Sequence, residues 1–315
     1  MKRVYRGAIV EMKKDNRIVG SLCALGCETL YGLSYMFTKQ ATESASELAL
    51  LGWRFLIAAV AMSILVFSGA IKVNLKGKDI KPLLMVALFS PCIYYIGETI
   101  GISYTTSSES GVFLACIPVA SLIASTLILK KKPTPYQIAG ILITLAGVVM
   151  TVLAVGASSS LSGIGYAFLF LAVASYALYG VFVDKANDFT GLEITYVMLL
   201  AGAVLFIVLA LAEAAASGNA RALMMLPFEK GTFLIAIVYQ GIGCSVIAFF
   251  LSNIAIAKIG VNKTSSFIGV STVVSIISGA LVLGETFTVY QIFGAVVIII
   301  GVYIANAKIR GYEPI

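Results

Sequence analysis

The chain contains no histidine, which excludes histidine-ligated zinc sites, Ser-His catalytic triads and histidine proton relays. It also lacks a glycine-rich phosphate-binding loop with its Lys and Ser or Thr, so no nucleotide is expected to bind. Charged residues make up only 12% of the chain, against roughly 25% in soluble domains. A water-soluble globule and a pump with its own ATPase are therefore excluded.

Five cysteines are present, and all of them lie inside apolar stretches without the spacing of a metal site: Cys23, Cys27, Cys92, Cys116 and Cys244. We interpret them as small core residues. Neither a metal ion nor another cofactor is expected.

Hydrophobic residues make up 60% of the 315 residues, and the mean hydropathy is +1.00. A helix needs about 20 apolar residues to cross a hydrocarbon core of roughly 30 Å. Stretches of this length predict an all-α integral membrane protein with ten transmembrane helices. The predicted spans are 18–38, 48–69, 82–103, 110–129, 135–155, 162–183, 192–215, 232–257, 264–283 and 288–307.

The lysines and arginines predict the orientation of these spans. With the N-terminus inside, 18 of the 22 cations lie in cytoplasmic segments and three lie outside, while Arg54 lies within a span. This positive-inside pattern places both termini in the cytoplasm and the protein in the cytoplasmic membrane. Attraction to an anionic leaflet explains the net charge of +7, so a nucleic-acid partner is not expected. The first 17 residues are too polar for a signal peptide, and we expect the first span to remain in the mature protein.

An internal repeat is visible at an offset of 154 residues, where Pro135-Tyr136-Gln137-Ile138-Ala139-Gly140 aligns with Val289-Tyr290-Gln291-Ile292-Phe293-Gly294. Two repeats of five spans each are predicted, at 18–156 and 162–307, with a Ser- and Gly-rich linker between them. Because five is odd, the second repeat enters the membrane from the opposite side. Inverted repeats are common in secondary transporters. A duplication kept only for packing is the alternative.

Several motifs resemble those of a known family. Tyr31-Gly32 with Lys39 and Arg54, Gly101-Ile102-Ser103-Tyr104-Thr105-Thr106, and Leu283-Gly284-Glu285 with Tyr290-Gln291 and Gly294 resemble the motifs of the EamA-type transporters of the drug/metabolite transporter superfamily. Tyr31 stands where the family often has tryptophan, and Lys130-Lys131-Lys132 stand where a Gly-Glu pair is usual. The resemblance implies a ten-helix bundle that exports small organic metabolites.

Three charged residues lie in the interior of the predicted spans, away from the first and last three residues: Glu28, Arg54 and Glu98. Such residues normally face a cavity or a partner, because a charge in the bilayer is costly. Arg54 and Glu98 are predicted at nearly equal depth, which makes them candidates for an ion pair. Alternatively, Arg54 contacts an anionic group of the substrate.

Polar residues at helical spacing predict which faces line a central cavity. Glu28, Tyr31, Gly32, Tyr35 and Lys39 share one face of the first span, and Pro91, Tyr94, Tyr95 and Glu98 share one face of the third. In the second repeat the cavity candidates are Tyr176, Tyr179, Tyr239 and Gln240, together with Ser175 and Asn253. Interhelical anchoring would also explain the tyrosines.

Two further residues carry predictions about transport. Pro118, near the middle of the fourth span, is a candidate hinge. Glu28 lies near the midplane and is the candidate for coupling transport to protons. Its alternatives are a hydrogen bond between helices and recognition of an amino group on the substrate.

The sequence therefore predicts a secondary transporter that exports a small organic metabolite, such as an amino acid, by alternating access. Its partners are the small-molecule substrate and the lipid bilayer, and its oligomeric state is open. The chain is not expected to be an enzyme. An intramembrane lipid-modifying enzyme and a membrane partner subunit without transport of its own are the alternatives.

Overall fold

The computed structural model of the protein describes residues 2–42, 44–104, 113–114, 116–153, 162–283 and 289–306. Their secondary structure is helical, and these residues contain no β-strand. The prediction of an all-helical protein is confirmed for this part of the chain.

The first half of the chain contains the helices α1 to α6. They are α1 (Lys2–Thr42), α2 (Glu47–Phe67), α3 (Lys81–Ala87), α4 (Tyr94–Ser103), α5 (Ile117–Ile128) and α6 (Pro135–Leu153). A π-helical segment, Leu88–Ile93, joins α3 to α4, and Ser90 within it has an extended backbone with φ −144° and ψ 120°. The third span therefore bends in its middle.

The second half contains the helices α7 to α14. They are α7 (Gly163–Lys185), α8 (Gly191–Ala216), α9 (Ala220–Glu229), α10 (Gly231–Val238), α11 (Phe249–Ile259), α12 (Val261–Ser266), α13 (Ile268–Leu283) and α14 (Val289–Asn306). A second π-helical segment, Tyr239–Ala248, joins α10 to α11. The short helix α9 lies where the sequence predicted a loop.

Five helical segments of the described chain are long and apolar enough to cross a membrane. They are Glu47–Phe67, Lys81–Gly101, Gly163–Lys185, Gly191–Ala216 and Gly231–Ile259, and shorter apolar helices run over Ile117–Ile128, Pro135–Met150 and Ile292–Asn306. The multi-pass membrane character is thus supported by length and composition. The count of ten spans remains a prediction.

Side-chain caps mark the start of several helices. Ser46 accepts a hydrogen bond from the Ala49 amide at the start of α2, and Ser162 accepts one from Gly165 at the start of α7. These caps satisfy amide donors that have no partner within the helix.

Most of the close helix pairs join the first half of the chain to the second. Helix α2 packs against α8, α6 against α14, α4 and α5 against α7, and α1 against α11 and α13. The largest buried cluster lies between α2 and α8, where Phe55, Met62, Met198 and Phe206 are fully buried. Because the two halves interleave in this way, a cavity between them has walls from both.

Candidate functional site

A cavity of about 130 Å³ lies between helices of the two halves. Its walls combine carboxylates, hydroxyls and aromatic rings, which is unusual for the interior of a membrane helix bundle. The lining residues are Glu28, Tyr31, Ser34, Thr38, Arg54, Ser90, Tyr94, Tyr95, Glu98, Leu114, Ile117, Tyr176, Tyr179, Phe249, Ser252, Ile268 and Ser271.

Arg54, on α2, has only 5% of its surface exposed, and its guanidinium is held by three side chains. Nε donates to Ser245 Oγ over 2.7 Å, Nη1 donates to Gln240 Oε1 over 3.2 Å, and Nη2 donates to Tyr95 Oη over 2.8 Å. The guanidinium carbon also lies 4.7 Å from the centre of the Tyr95 ring. All three acceptors are neutral, so the charge is stabilised by hydrogen bonds and a cation–π contact.

The π-helical segment Tyr239–Ala248 supplies two of the three acceptors for Arg54. Gln240 is 1% exposed, and its Nε2 donates to Thr38 Oγ1 of α1 over 2.9 Å. A π-helix places successive side chains at a different angular spacing from an α-helix. Gln240 and Ser245, five residues apart, consequently reach the same guanidinium.

Glu98, on α4, accepts a hydrogen bond from Tyr94 Oη over 2.7 Å through its Oε1. The ion pairs found in the described part of the chain are Lys78–Glu193 and Lys131–Asp184, so the predicted direct pair between Arg54 and Glu98 is not formed there. Equal depth fixes the position of the two residues along their helices. It does not fix the direction in which each side chain points around its helix axis. Both line the same cavity, and electrostatic coupling across it stays a prediction.

Glu28, on α1, is 4% exposed and lines the cavity. Ser271 of α13 lines the same cavity, and its hydroxyl donates to the Ile268 carbonyl over 2.6 Å. Whether Glu28 exchanges a proton during transport stays a prediction.

Tyrosine rings form a continuous part of the cavity wall. Tyr94 packs edge-on against Tyr95 and Tyr176, with ring centres 5.1 and 5.5 Å apart, and Tyr176 packs against Tyr179 at 5.4 Å. Tyr95 in turn contacts the Phe55 ring at 5.6 Å. Because these rings come from α2, α4 and α7, they join the two halves around the cavity.

Tyr179 connects the cavity to a buried polar chain behind it. Its hydroxyl contacts Ser252 Oγ at 3.1 Å and Asn253 Oδ1 at 2.8 Å, and Asn253 Nδ2 donates to Thr195 Oγ1 over 3.0 Å. Asn253 is completely buried. The chain fixes the position of the Tyr179 ring, because a buried amide without partners would be costly.

The structure brings most of the sequence-predicted residues together at one cavity: Glu28, Tyr31, Arg54, Tyr94, Tyr95, Glu98, Tyr176 and Tyr179. Tyr239 and Gln240 lie behind its wall. Tyr239 donates to the Leu30 carbonyl over 2.9 Å and stacks on Phe37 at 4.3 Å. The Tyr35 side chain lies outside the described residues.

Pro118 is the candidate hinge, and its role in transport stays a prediction. It lies in the first turn of α5, which begins at Ile117. A proline in the first turn removes no hydrogen bond of the helix, since the first amides have no partner within it. Pro118 therefore marks the start of α5 rather than a break within it.

Several cavity residues were not predicted from the sequence, namely Ser34, Thr38, Ser90, Phe249, Ser252 and Ser271. The signal for Ser34 and Thr38 was present, because they continue the face of Glu28 and Tyr31 along α1. Ser245, which binds Arg54, lies in an apolar run, and no charge pattern marks it.

Comparison with known proteins agrees with a chain built of two halves. The sequence model of the EamA-like transporter family matches residues 18–153 and 163–307. The chain belongs to the EamA-like transporter family.

Relatives of similar length match nearly the whole chain. The uncharacterized transporter YcxC of Bacillus subtilis strain 168 is 32% identical over 301 residues, which cover 95% of this chain and 96% of YcxC. The uncharacterized transporter YyaM of the same organism is 28% identical over 292 residues, which cover 91% and 93%. A solved crystal structure aligns with a TM-score of 0.72 and 18% identity over 91% of this chain and 97% of its own, a likeness that shows the fold alone.

Proposed function

We propose that the protein is a secondary transporter that exports a small organic metabolite, such as an amino acid, across the cytoplasmic membrane by alternating access. One observation carries the proposal: a buried cavity lined by Glu28, Arg54, Glu98 and five tyrosines, with walls from both halves of the chain. Relatives that cover nearly the whole chain are named transporters. A cavity at the interface of two repeats is the common place for a transporter's substrate.

The pattern of helix packing supports two inverted repeats, at 18–156 and 162–307, with five spans each. Under that division α2 and α8 are equivalent second spans, α6 and α14 are equivalent fifth spans, and each pair is in contact. The contacts of α1 with α11 and α13 are matched by the contacts of α7 with α4 and α5. Two halves related by a two-fold axis are expected to make such equivalent pairs of helix contacts.

The glycines of α6 and α14 support the same two-fold relation between individual residues. A Cβ atom on Gly140 would lie 2.6 Å from the Gly301 carbonyl oxygen, and one on Gly147 would lie 2.8 Å from the Gly294 carbonyl oxygen. Gly140 aligns with Gly294 in the repeat, and Gly147 aligns with Gly301. Equivalent residues thus exchange places across the contact, and the two helices run antiparallel, as an axis in the membrane plane requires.

The interruptions of the helices support the same division. Leu88–Ile93 lies in the third span of the first repeat, and Tyr239–Ala248 lies in the third span of the second. The first is kinked at Ser90, which lines the cavity, and the second is π-helical and ends next to Phe249, which also lines it. Such departures from a regular α-helix often mark functional positions.

Contacts at one end of the bundle join the two repeats. Lys131 Nζ lies 2.6 Å from Asp184 Oδ2, and Lys78 Nζ lies 3.0 Å from Glu193 Oε2. The cation pattern assigns this end to the cytoplasm. Alternating access requires such contacts to open when the cavity faces that side.

A lipid-modifying enzyme is not favoured, because the family and the relatives' names point to transport. A partner subunit without transport of its own would still have this fold. It would not be expected to need buried charges around a cavity, since they are costly in a membrane.

Transport is tested with purified full-length protein in liposomes, by counterflow of a panel of amino acids and other small metabolites. We expect saturable exchange of at least one compound that empty liposomes do not show. A protein that inserts correctly but exchanges none of the panel contradicts the proposal.

The orientation is tested with reporter fusions, which should read as cytoplasmic after Gly77, Lys132 and Ile315 and as external near Ser159 and Asn219.

A further inference from the structure

The cavity is lined by both acidic and basic side chains. Two carboxyl groups, of Glu28 and Glu98, and one guanidinium, of Arg54, line it. Arg54 already donates from Nε, Nη1 and Nη2 to Ser245, Gln240 and Tyr95. The ion pairs of the described chain include neither cavity carboxylate.

Glu98 has capacity for a further donor. Its Oε1 accepts from Tyr94 over 2.7 Å, while an ionised carboxylate offers about four acceptor positions. The side chain is half-buried and lines the cavity. A solute in the cavity can therefore donate hydrogen bonds to this carboxylate, and a positive solute would also neutralise it.

One aromatic ring is hydrogen-bonded to the same carboxyl group, and a second ring packs against the first. The Tyr94 ring, whose hydroxyl holds Glu98, packs against Tyr176 at 5.5 Å. Cations are attracted to aromatic faces within about 6 Å of the ring centre. This cavity already uses that interaction once, because the Arg54 guanidinium lies 4.7 Å from the Tyr95 ring centre.

We propose that Glu98, Tyr94 and Tyr176 form a binding site for the ammonium group of the transported molecule. The inference rests on the proposed transport function and specifies its substrate class as a small amine or an amino acid. A carboxylate with rings beside it supplies both charge and cation–π attraction to an ammonium group. Three of the five N–H donors of Arg54 are already used by Ser245, Gln240 and Tyr95, and an anionic substrate bound through the remaining two is the competing interpretation that the test below distinguishes.

The test compares three ligands of similar size that differ in charge: phenethylamine, 2-phenylethanol and 3-phenylpropionate. Their affinities for the purified full-length protein in detergent are measured by isothermal titration calorimetry at neutral pH. We expect phenethylamine to bind at least about tenfold more tightly than the other two, as a charge-assisted hydrogen bond allows. Comparable or tighter binding of 3-phenylpropionate, or no binding of phenethylamine, overturns the ammonium site.

The variant Glu98→Gln keeps the size of the side chain and an acceptor for Tyr94 but removes the charge. We expect it to bind phenethylamine at least about tenfold more weakly than the wild type. The matched control Glu229→Gln, at the exposed end of α9, should leave the affinity unchanged. If Glu98→Gln and Glu229→Gln bind phenethylamine equally well, Glu98 does not hold the ammonium group.

A second variant tests the ring and does not depend on the behaviour of Glu98→Gln. Tyr176→Leu keeps the carboxylate, and we expect tetraethylammonium, which has no hydrogen-bond donor, to lose more affinity than phenethylamine. Equal losses for the two ligands overturn the role of the ring. Liposome counterflow of neutral and anionic metabolites distinguishes failure of the ammonium site from failure of the transport function. If the protein exchanges those metabolites but does not bind phenethylamine, the transport function stands and only the ammonium site is wrong.

Discussion

Arg54 and Tyr95 interact in two ways at once: Nη2 donates to the tyrosine hydroxyl over 2.8 Å, and the guanidinium lies 4.7 Å from the centre of the same ring. Both contacts fix the direction of the guanidinium. The planar, forked shape of the guanidinium is therefore needed for these contacts, in addition to its charge.

The first prediction concerns this shape. Arg54→Lys keeps the charge, but a lysine cannot reach Ser245, Gln240 and Tyr95 in the forked geometry of a guanidinium. We expect the variant to lose about 2 kcal/mol of unfolding free energy, since buried acceptors lose their donors. Unfolding of the purified protein in detergent measures this, with the exposed Arg221→Lys as the control. Equal stability of the two variants would contradict the arrangement.

The second prediction concerns Arg54 and Glu98 together. Because no direct ion pair joins them in the described structure, we expect the effects of Arg54→Leu and Glu98→Leu on unfolding to be nearly additive, with a coupling below about 1 kcal/mol. A double-mutant cycle in detergent measures the coupling. A value of several kcal/mol would indicate that the two residues form a buried pair after all.

The third prediction concerns the polar chain behind the cavity. Tyr179→Phe removes the hydroxyl that donates to Asn253 Oδ1 over 2.8 Å, so this buried oxygen loses a hydrogen-bond donor. We expect a loss of about 1–3 kcal/mol in unfolding free energy. Tyr136→Phe, on an exposed face of α6, is the control and should unfold like the wild type. If both variants match the wild type, the contact does not contribute to stability.

The fourth prediction concerns the ion pair between Lys131 and Asp184. An exposed pair contributes only about 0.2–1 kcal/mol, so Lys131→Glu should fold normally. We nevertheless expect it to change the initial rate of counterflow in liposomes, because the pair joins the two repeats. The charge swap Lys131→Asp with Asp184→Lys should restore the rate. Failure of the swap to do so would show that the pair does not control opening.

The fifth prediction concerns Glu28 and proton coupling. Glu28→Gln keeps the size of the side chain and its ability to form hydrogen bonds but cannot bind or release a proton. In liposomes with an imposed pH gradient, we expect the variant to lose accumulation of substrate and to keep exchange down the gradient. Accumulation equal to that of the wild type would show that protons are not coupled through Glu28.

The sequence predicted the cavity face of α1 well, because the helix is continuous there and the spacing of Glu28 and Tyr31 keeps its period. It misplaced Tyr239 and Gln240, since a π-helical segment begins at Tyr239 and changes the direction of the side chains that follow. It paired Arg54 with Glu98 because hydropathy gives depth along a helix but not rotation around it. The neutral partners of Arg54 could not be predicted, as hydroxyls and amides in apolar runs have no distinctive pattern.

The contact of Gly140 with Gly301 has a mechanical consequence. Backbone meets backbone there, because neither glycine has a side chain. The distance between these two helices can therefore change little, while the exposed ion pair of Lys131 with Asp184 can break at small cost. If one half rotates against the other, we expect the rotation to be centred on the glycine contact. The helices farthest from this contact would then move the most.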